Sequence, residues 1–334
     1  MTMHDGHAPH TTATPPAKAD VARGGGMKSV ASKPDTLRSA RAGATIHMPA
    51  FCVPLLRERR TDKGDALAAA RIAAVMAVKR TWELIPLCHP LGIQDAKVSF
   101  ELGDDWVRTE VEVLTIANTG VEMEALTGAS VAALTLYDML KPHAGTDLTI
   151  GNIRLLEKRG GKSHYRRRVE PAIAGAVIVL SDTVAAGRAE DRAGAAVRER
   201  LHATGIECPQ ADVIADEPDE LAARIKHWTD RHVALIVTVG GTGIGTRDRT
   251  VETIRPLLQP EIPGIMEAAR AHGQRRMPYA MLSRGVAGLI GKTLVITLPG
   301  STRGATEYLD ALIPGILHAF EVMQDAPHRH GYTG

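Results

Sequence analysis

The stretch Val121–Lys141, VEMEALTGASVAALTLYDMLK, predicts a long helix that Pro142 ends. Glu122 and Glu124 stand one residue apart at the start of this mostly apolar run. Apolar runs become buried, and a buried carboxylate is costly unless it is paired or used. At this spacing the two side chains point in different directions. They either contribute to a catalytic site or only complement the helix dipole.

The segments around this helix complete an N-terminal domain, which we place at residues 27–165. Gly64–Arg80 is alanine-rich and predicts a helix capped near Asp62. Two alternating segments joined by Gly-Asp-Asp predict an antiparallel hairpin with one face in water. Helices that cover an antiparallel sheet give an α+β, ferredoxin-like sandwich. The predicted strands are Lys97–Leu102, Trp106–Thr115 and Leu148–Leu156.

A second apolar run, Leu84–Leu91, encloses His89, which is either a core histidine or a proton-transfer group. Nothing near Cys88 indicates a lowered pKa, so we interpret it as a small hydrophobic residue rather than a nucleophile. Asp138 and Lys141, three residues apart, can form a surface pair. Taken together, the charged residues predict a pocket that binds an anion and transfers protons. The candidates are Lys63, His89, Glu122, Glu124, Asp138, Lys141 and Lys158.

The second half of the chain, placed at residues 172–325, has a different pattern. Ala176–Leu180 is a short, fully apolar strand, and similar strands alternate with helices after it. This alternation is typical of an α/β, doubly wound parallel sheet, in which ligands bind at the carboxyl ends of the strands. The predicted helices are Arg192–His202, Pro218–Thr229 and Gly304–Met323, and the later strands lie near Val213, at Val233–Val239 and at Lys292–Leu298.

Glycine, serine and aspartate follow the ends of these strands. Glycines let a phosphate approach backbone N–H groups, and the helix that follows adds a positive dipole. Asp248 ends the longest such loop, where a carboxylate holds Mg²⁺ or, alternatively, caps the helix that begins at Thr250. The three loops are Ser181-Asp182, Gly240–Asp248 and Pro299–Thr302.

Two motif matches are set aside. Gly241-Thr242-Gly243 begins like a dinucleotide fingerprint, but Thr246 occupies the sixth position and a charged pair follows it, which disfavours a NAD site. Gly285–Thr293 resembles a phosphate-binding loop, but its glycine spacing is one residue too long and Lys292-Thr293 opens a strand. We interpret that segment as structural.

Composition limits the remaining possibilities. The chain has 334 residues, 44% hydrophobic and 23% charged, with a formal net charge of +2, so no strong field for nucleic acid or membrane is expected. The three cysteines are far apart, which suits a reducing cytoplasm. We expect disordered tails at 1–26 and 326–334 and a solvated linker at 166–171 rather than a nucleic-acid patch. His4, His7 and His10 in the first tail are interpreted as solvated rather than as metal ligands.

Residues 27–165 resemble cyclic pyranopterin monophosphate synthase, the second step of molybdenum cofactor synthesis. The resemblance implies rearrangement of cyclised dihydro-GTP with release of pyrophosphate, a lyase reaction that needs no cofactor. Lys63, Lys141, Lys158 and Lys162 are suited to a triphosphate, and Cys88 and Met123 are expected to contact substrate. Ser29 stands where the family has Asp. The matching segments are Lys63–Asp65, Ala70–Ala73, Lys79–Leu91, Gly120–Leu126, Tyr137–Met139 with Lys141, and Gly160–Ser163.

Residues 172–325 resemble the molybdopterin adenylyltransferase and molybdopterin-binding family, on Thr238–Gly243, Arg247–Glu252, Leu282–Arg284 and Leu298–Ser301. The resemblance implies transfer of AMP from Mg-ATP to molybdopterin. Two departures are Thr183, where the family has Arg, and Gly264–Glu267, which replaces Gly-Phe-Gly-Glu. The implied binding residues are Asp182, Asp191, Gly240, Gly241, Thr242, Gly243, Asp248, Ser283, Arg284, Pro299, Gly300 and Ser301, with Asp248 near Mg²⁺.

The sequence therefore predicts a cytoplasmic, bifunctional enzyme with pterin and nucleotide substrates and no nucleic-acid or membrane partner. Both families have threefold symmetry, so a homo-oligomer, a trimer or hexamer, is expected. Two alternatives stay open. The second domain is a molybdopterin carrier without AMP transfer, or the first domain is a scaffold that only binds pterin or partner subunits.

Overall fold

The structure is a computed structural model that describes residues 25–31, 33–161 and 168–323. The predictions for Lys162, for the histidines of the first tail, for the second tail and for linker residues 166–167 lie outside the described residues. Within the described part, no helix is long and apolar enough to cross a membrane. The buried side chains form one core between Ala40 and Leu148 and two between Ala176 and Phe320. The predicted domain bounds stay predictions.

A four-stranded antiparallel sheet in the order β2-β3-β1-β4 forms the N-terminal domain, with helices packed on one face. The predicted hairpin is present, and its strands extend slightly beyond the expected ends. In chain order the elements are β1 (Thr36–His47), α1 (Cys52–Arg57), α2 (Ala66–Lys79), α3 (Thr81–Leu84), β2 (Asp95–Leu102), β3 (Trp106–Ala117), α4 (Glu122–Ala144) and β4 (Thr149–Arg159).

Strand β1 pairs with both β3 and β4, although the sequence did not predict it. Its core-facing residues are small: Ala40, Ala42 and Ala44 are buried, followed by Ile46. Alanine is poor in strands by propensity, so the alternation carries little hydrophobic signal. Small side chains on β1 instead let α4, itself lined with buried alanines, lie close against the sheet.

Two helix ends differ from the sequence prediction. The N-cap of α2 is Asp65 and not Asp62. The Asp65 side chain accepts a hydrogen bond from the Ala68 N–H at 3.0 Å. Helix α4 continues through Pro142 to Ala144. A proline removes one N–H from the helix ladder, and near the end of a helix the remaining turn tolerates this loss.

The C-terminal domain is a six-stranded sheet in the order β6-β5-β8-β10-β9, with β7 pairing with β5. All of its pairs are parallel except β9 with β10. The elements are β5 (Ile173–Leu180), α5 (Asp182–Ala185), α6 (Arg192–His202), β6 (Ile206–Glu207), β7 (Ala211–Ile214), α7 (Pro218–Thr229), β8 (Leu235–Val239), α8 (Thr250–Ile254), α9 (Pro263–Gln274), β9 (Ala287–Ile290), β10 (Thr293–Leu298) and α10 (Thr302–Met323). Short 3₁₀ segments occupy Arg255–Leu257 and Pro278–Leu282.

Helices cover both faces of this sheet, as a doubly wound fold requires. On one face α6, α9 and α10 pack against Val177 and Val179 of β5, whereas α7 and α8 pack against Ile178 on the other face. The first crossover from β5 and the later one to β8 thus lie on opposite faces. This reversal opens a crevice at the carboxyl ends of β5 and β8, the place where such sheets bind ligands.

We expect Gly128→Ala to lower the free energy of unfolding by about 1–3 kcal/mol, the cost of overpacking a core. A Cβ at Gly128 would lie 2.7 Å from Val78 Cγ2 of α2 and 3.1 Å from Val111 Cγ1 of β3, and both valines are stiff. Gly315→Ala is the control, since nothing lies within 4 Å of its Cβ and alanine favours a helix by about 0.5–1 kcal/mol. Differential scanning calorimetry would measure both, and an unchanged transition for Gly128→Ala would contradict the close packing.

Candidate functional site

Two lysines converge on one carboxylate near the end of α4, and we call Lys63, Asp138 and Lys141 the lysine–aspartate cluster. Lys63 Nζ lies 2.7 Å from Asp138 Oδ2, and Lys141 Nζ lies 2.8 Å from Asp138 Oδ1. Lys63 also donates to the Asp138 carbonyl at 3.1 Å. That carbonyl is the one that the missing N–H of Pro142 would have used in the helix ladder. The proline therefore leaves an acceptor free for the lysine.

The ammonium groups control the ionisation of this cluster. Hydrogen bonds from Lys141 and then Lys63 lower the pKa of Asp138 to about 2, and Asp138 in turn raises the pKa of Lys141. Asp138 and Lys141 are therefore charged at neutral pH. Two partly exposed lysines share one carboxylate, so the cluster carries a net positive charge, as an anion site requires.

The first turn of α4 carries a second group, and we call Glu122, Glu124, Lys158 and Cys88 the glutamate cluster. Glu122 Oε1 lies 3.4 Å from Lys158 Nζ of β4. The Glu122 carboxylate folds over Gly120, so a side chain at that position would displace it. Glu124 points into the protein and only 4% of its surface is exposed. The two carboxylates thus have different environments, as their spacing predicted.

Burial raises the pKa of Glu124, although its backbone hydrogen bond lowers it, and the charge of Glu122 raises it further. Burial and then the charge of Glu124 raise the pKa of Cys88, so this thiol stays protonated, as we interpreted from the sequence. His89 lies half-buried beside Cys88, and Met123 is exposed between the two glutamates. The charged form of Glu124 is therefore disfavoured, a property that is common among groups at functional sites.

The two clusters do not meet within one chain. Asp138 lies sixteen residues after Glu122 in the same helix, and at 1.5 Å per residue this is about 24 Å along the axis. The sequence placed all of these residues in one pocket. The structure brings Lys63 to Asp138 and Lys158 to Glu122, but it separates the two groups by most of the length of α4.

A cavity of about 610 Å³ lies at the carboxyl ends of the parallel strands in the C-terminal domain. Every loop that the sequence selected contributes to it. Of the predicted binding residues, those that line it are Asp191, Gly240, Gly241, Thr242, Gly243, Asp248, Ser283, Pro299 and Gly300. Asp182, Arg284 and Ser301 do not line it, and substrate contact by them stays a prediction.

Arg284 holds the glycine loop in place. Its backbone N–H donates to the Thr242 carbonyl at 2.9 Å, and its guanidinium donates to the carbonyls of Gly243 and Asp248, both at 2.6 Å. The same guanidinium pairs with Glu252. Gly240 has a φ of +115° and lies against the Leu180 carbonyl, so only glycine fits there. Contacts within the protein thus hold the glycine loop in its shape.

Asp216 is a cavity residue that the sequence analysis missed. It follows β7, so the rule that selected the other loops, a polar residue after a strand end, would have found it. Its N–H donates to Asp182 Oδ1 at 3.0 Å, and the Asp182 N–H donates back to Asp216 Oδ2 at 3.3 Å. Arg247 binds both oxygens of Asp182 at 2.9 Å and supplies a positive charge beside it.

These contacts separate the two carboxyl groups electrostatically. The Asp216 N–H and then Arg247 lower the pKa of Asp182, despite some opposing burial. Burial raises the pKa of Asp216, and the charges of Asp182 and Asp248 raise it further. Asp182 therefore stays in its charged state, whereas Asp216 lines the cavity and forms no ion pair among the described residues.

The remaining predicted residues have structural contacts as well. Asp248 Oδ2 accepts from the Gly245 N–H at 2.8 Å, so it folds the glycine loop and does not cap α8, whose cap residue is Arg249. Asp191 caps α6 by accepting from Gly194 N–H at 2.8 Å, and Ser301 accepts from Gly304 N–H at 3.2 Å. Among the described residues, no three metal-binding side chains come together. A Mg²⁺ here would rely on substrate phosphates, as Mg²⁺ usually does.

Comparisons with known proteins match each half of the chain to a family. Residues 27–161 match the MoaC family, and residues 176–318 match the family described as "probable molybdopterin binding domain". A molybdenum cofactor biosynthesis bifunctional protein of Chlorobaculum tepidum is 43% identical over 90% of this chain and 96% of its own length. A protein with the same name from Synechococcus elongatus is 39% identical over 90% of this chain and 98% of its own.

Among solved structures, the molybdopterin biosynthesis enzyme MoaB of Thermus thermophilus is 40% identical, and the match covers 46% of this chain and 98% of that chain with a TM-score of 0.44.

We expect Glu124→Gln to be more stable than the wild type at about pH 8 and equally stable at about pH 4. The folded pKa of Glu124 is raised, so its contribution to stability is present at low pH and is lost as the pH rises through that pKa. Glutamine resembles the protonated form at every pH. Urea unfolding at both pH values measures the difference.

Glu122→Gln is the matched control for that experiment, because Glu122 is half-exposed and paired with Lys158. We expect no stability gain from it at high pH. An equal gain for Glu124→Gln at both pH values would contradict the role assigned to burial.

Proposed function

The chain belongs to the family of molybdenum cofactor biosynthesis bifunctional proteins, and on this premise we propose that it catalyses two separate reactions. The N-terminal domain converts cyclised dihydro-GTP to cyclic pyranopterin monophosphate and pyrophosphate, as a lyase. The C-terminal domain transfers AMP from Mg-ATP to molybdopterin. The observation that carries the proposal is that each domain holds cationic side chains or backbone donors suited to an anion and a carboxyl group whose pKa is raised by burial. In the C-terminal domain the two lie in one cavity, and in the N-terminal domain they lie at opposite ends of α4.

In the N-terminal domain the cations account for the phosphates of the substrate. Lys63 and Lys141 point from Asp138 toward solvent, and Lys158 lies at the other end of α4. Ring opening and reclosure require protons to be taken up and released near neutral pH. Glu124 is suited to this because its raised pKa brings it nearer the working range, and His89 beside Cys88 is the second candidate.

We also propose that the catalytic site is completed between subunits. A separation of about 24 Å along α4 is too large for one nucleotide-sized ligand to contact both clusters of the same chain. Large apolar side chains remain exposed on this domain, which is typical of a self-association surface. They include Ile72, Met76, Trp82, Leu84 and Leu87. This supports the homo-oligomer, a trimer or hexamer, that the sequence predicted.

The order of elements in the N-terminal domain also indicates its fold. The main elements β1, α2, β2, β3, α4 and β4 follow the order βαββαβ, and their sheet is antiparallel throughout. This element order is that of the ferredoxin-like motif. We therefore propose a ferredoxin-like sandwich for the N-terminal domain.

In the C-terminal domain the glycine loop at Gly240–Gly243 would hold phosphate groups through backbone N–H groups. Asp216 and Asp248 are close enough to influence each other and face the same cavity, so together they fit a Mg²⁺ ion carried by ATP. Such an ion neutralises phosphate charge and orients the nucleotide. Arg247 and Arg284 keep the two carboxylate-bearing loops in place. The second candidate, a molybdopterin carrier without AMP transfer, shares this pocket.

We expect purified protein to release pyrophosphate from cyclised dihydro-GTP and to yield a fluorescent pterin on oxidation. Lys63→Ala is expected to lower the rate about a hundredfold, the loss typical when one group that stabilises transition-state charge is removed. Lys97→Ala is the control, because Lys97 is an exposed lysine that pairs with Asp95, far from both clusters in the sequence. Folded wild-type protein that makes no product would favour the scaffold alternative for this domain.

Mixing two inactive variants tests whether the site is shared between subunits. Lys63→Ala and Glu124→Gln each disable a different cluster, and a mixed assembly keeps some sites in which both clusters are intact. Coexpression in equal amounts should restore about a quarter of the wild-type activity if pairs of chains share sites symmetrically. No recovery in a verified mixed oligomer would show that each chain supplies a complete site.

For the C-terminal domain, we expect Asp216→Asn to reduce Mg-dependent AMP transfer by at least about tenfold, the smaller of the losses seen for groups around a metal. Transfer of radiolabelled AMP to molybdopterin measures it. Glu217→Gln is the control, since this neighbouring carboxylate is exposed and pairs with Arg247 outside the cavity. Wild-type protein that binds molybdopterin but transfers no AMP would establish the carrier instead.

A further inference from the structure

The lining of the C-terminal cavity is polar, small or aliphatic with one exception. Tyr279 is the single aromatic side chain among the described residues that line it. Aromatic residues make up only 3% of the chain, so their placement is informative. Tyr279 has 72% of its surface exposed. An aromatic ring exposed at a cavity is available to contact a ligand through its face.

The backbone that carries Tyr279 is held firmly from behind. It belongs to the 3₁₀ segment Pro278–Leu282, in which Tyr308 Oη of α10 donates to the Ala280 carbonyl at 3.1 Å. The Met281 N–H donates to Gln274 Oε1 of α9 at 3.1 Å. Gly273 makes room for this packing, since a Cβ there would lie 2.7 Å from Tyr308. A rigid backbone therefore presents an exposed ring to the cavity.

We infer that the ring of Tyr279 is a stacking platform for the planar nitrogen heterocycle of the ligand that this cavity binds. The inference rests on the proposed function of the C-terminal domain and deepens it. The glycine loop at Gly240–Gly243 offers backbone donors for phosphate, but phosphate binding does not select a base. A π-face supplies the missing recognition, because purine and pterin rings both stack on aromatic side chains. The shared chemistry is a flat heterocycle, adenine or pterin.

Calorimetric titration of the full chain with three probes tests the inference. The probes are Mg-ATP, 6-carboxypterin and inorganic tripolyphosphate, which has no ring. We expect Tyr279→Ala to weaken the binding of Mg-ATP or of the pterin about 5- to 100-fold and to leave tripolyphosphate unchanged. Tyr279→Phe should restore the lost affinity, because it keeps the ring and removes only the hydroxyl. The heterocycle whose affinity falls is the one that stacks.

Met281→Ala is the matched control, since Met281 lies on the same 3₁₀ segment, is 66% exposed and does not line the cavity. It should leave all three affinities unchanged. In the AMP-transfer assay, Tyr279→Ala should raise KM for the stacked substrate more than it lowers kcat, as expected for a binding contact.

Several results would overturn the inference. Unchanged binding of both heterocycles by Tyr279→Ala would remove the platform while leaving the proposed function intact. An equal loss for tripolyphosphate, or failure of Tyr279→Phe to rescue, would make the residue merely structural. A change in oligomeric state that removes binding of all probes would assign the ring to a contact between copies. Wild-type protein that binds none of the probes would instead refute the proposed function, and this inference with it.

Discussion

The close contact between α4 and the sheet beneath it positions the chemistry of the N-terminal domain. Alanines on β1 face the alanine-lined side of α4, and Gly128 lets the helix meet α2 and β3 without a gap. Small side chains buried against one another leave little freedom for the helix to slide or rotate. Both charged clusters depend on α4, so its placement determines where Glu122, Glu124 and Asp138 lie. Alanine and glycine, which carry no reactive groups, thus determine where the charged side chains of α4 lie.

Two features of α4 that disfavour an ordinary helix support the site. Pro142 leaves the carbonyl of Asp138 free, and Lys63 uses it as a second anchor. Glu124 is buried at a free-energy cost that glutamine would avoid, because its charged form is desolvated. Local departures of this kind concentrate at functional sites, where stability is exchanged for a group with a useful pKa or a well-placed cation.

In the C-terminal domain the order of strands and crossovers determines where the cavity lies. Because successive crossovers cover opposite faces, the loops after β5 and β8 part and leave a crevice, and the loops after β7 and β10 border it. Arginines then hold these loops from outside: Arg247 through Asp182, and Arg284 through the carbonyls of the glycine loop. Asp216, which forms no ion pair among the described residues, and the aromatic residue Tyr279 both line the cavity.

The sequence by itself determined the elements with strong periodicity and the loops with unusual chemistry. The hairpin of β2 and β3, the helices at Arg192–His202 and Pro218–Thr229, and the glycine loop all follow from local patterns. The sequence did not predict strand β1, because its alternating alanines give no hydrophobic signal. It did not predict Asp216, because one aspartate after a short strand is less conspicuous than a glycine-rich loop. Only the tertiary structure buried Glu124, brought Lys63 to Asp138 and left Tyr279 exposed at the cavity. Burial and distance depend on which segments pack together, and no local pattern encodes that.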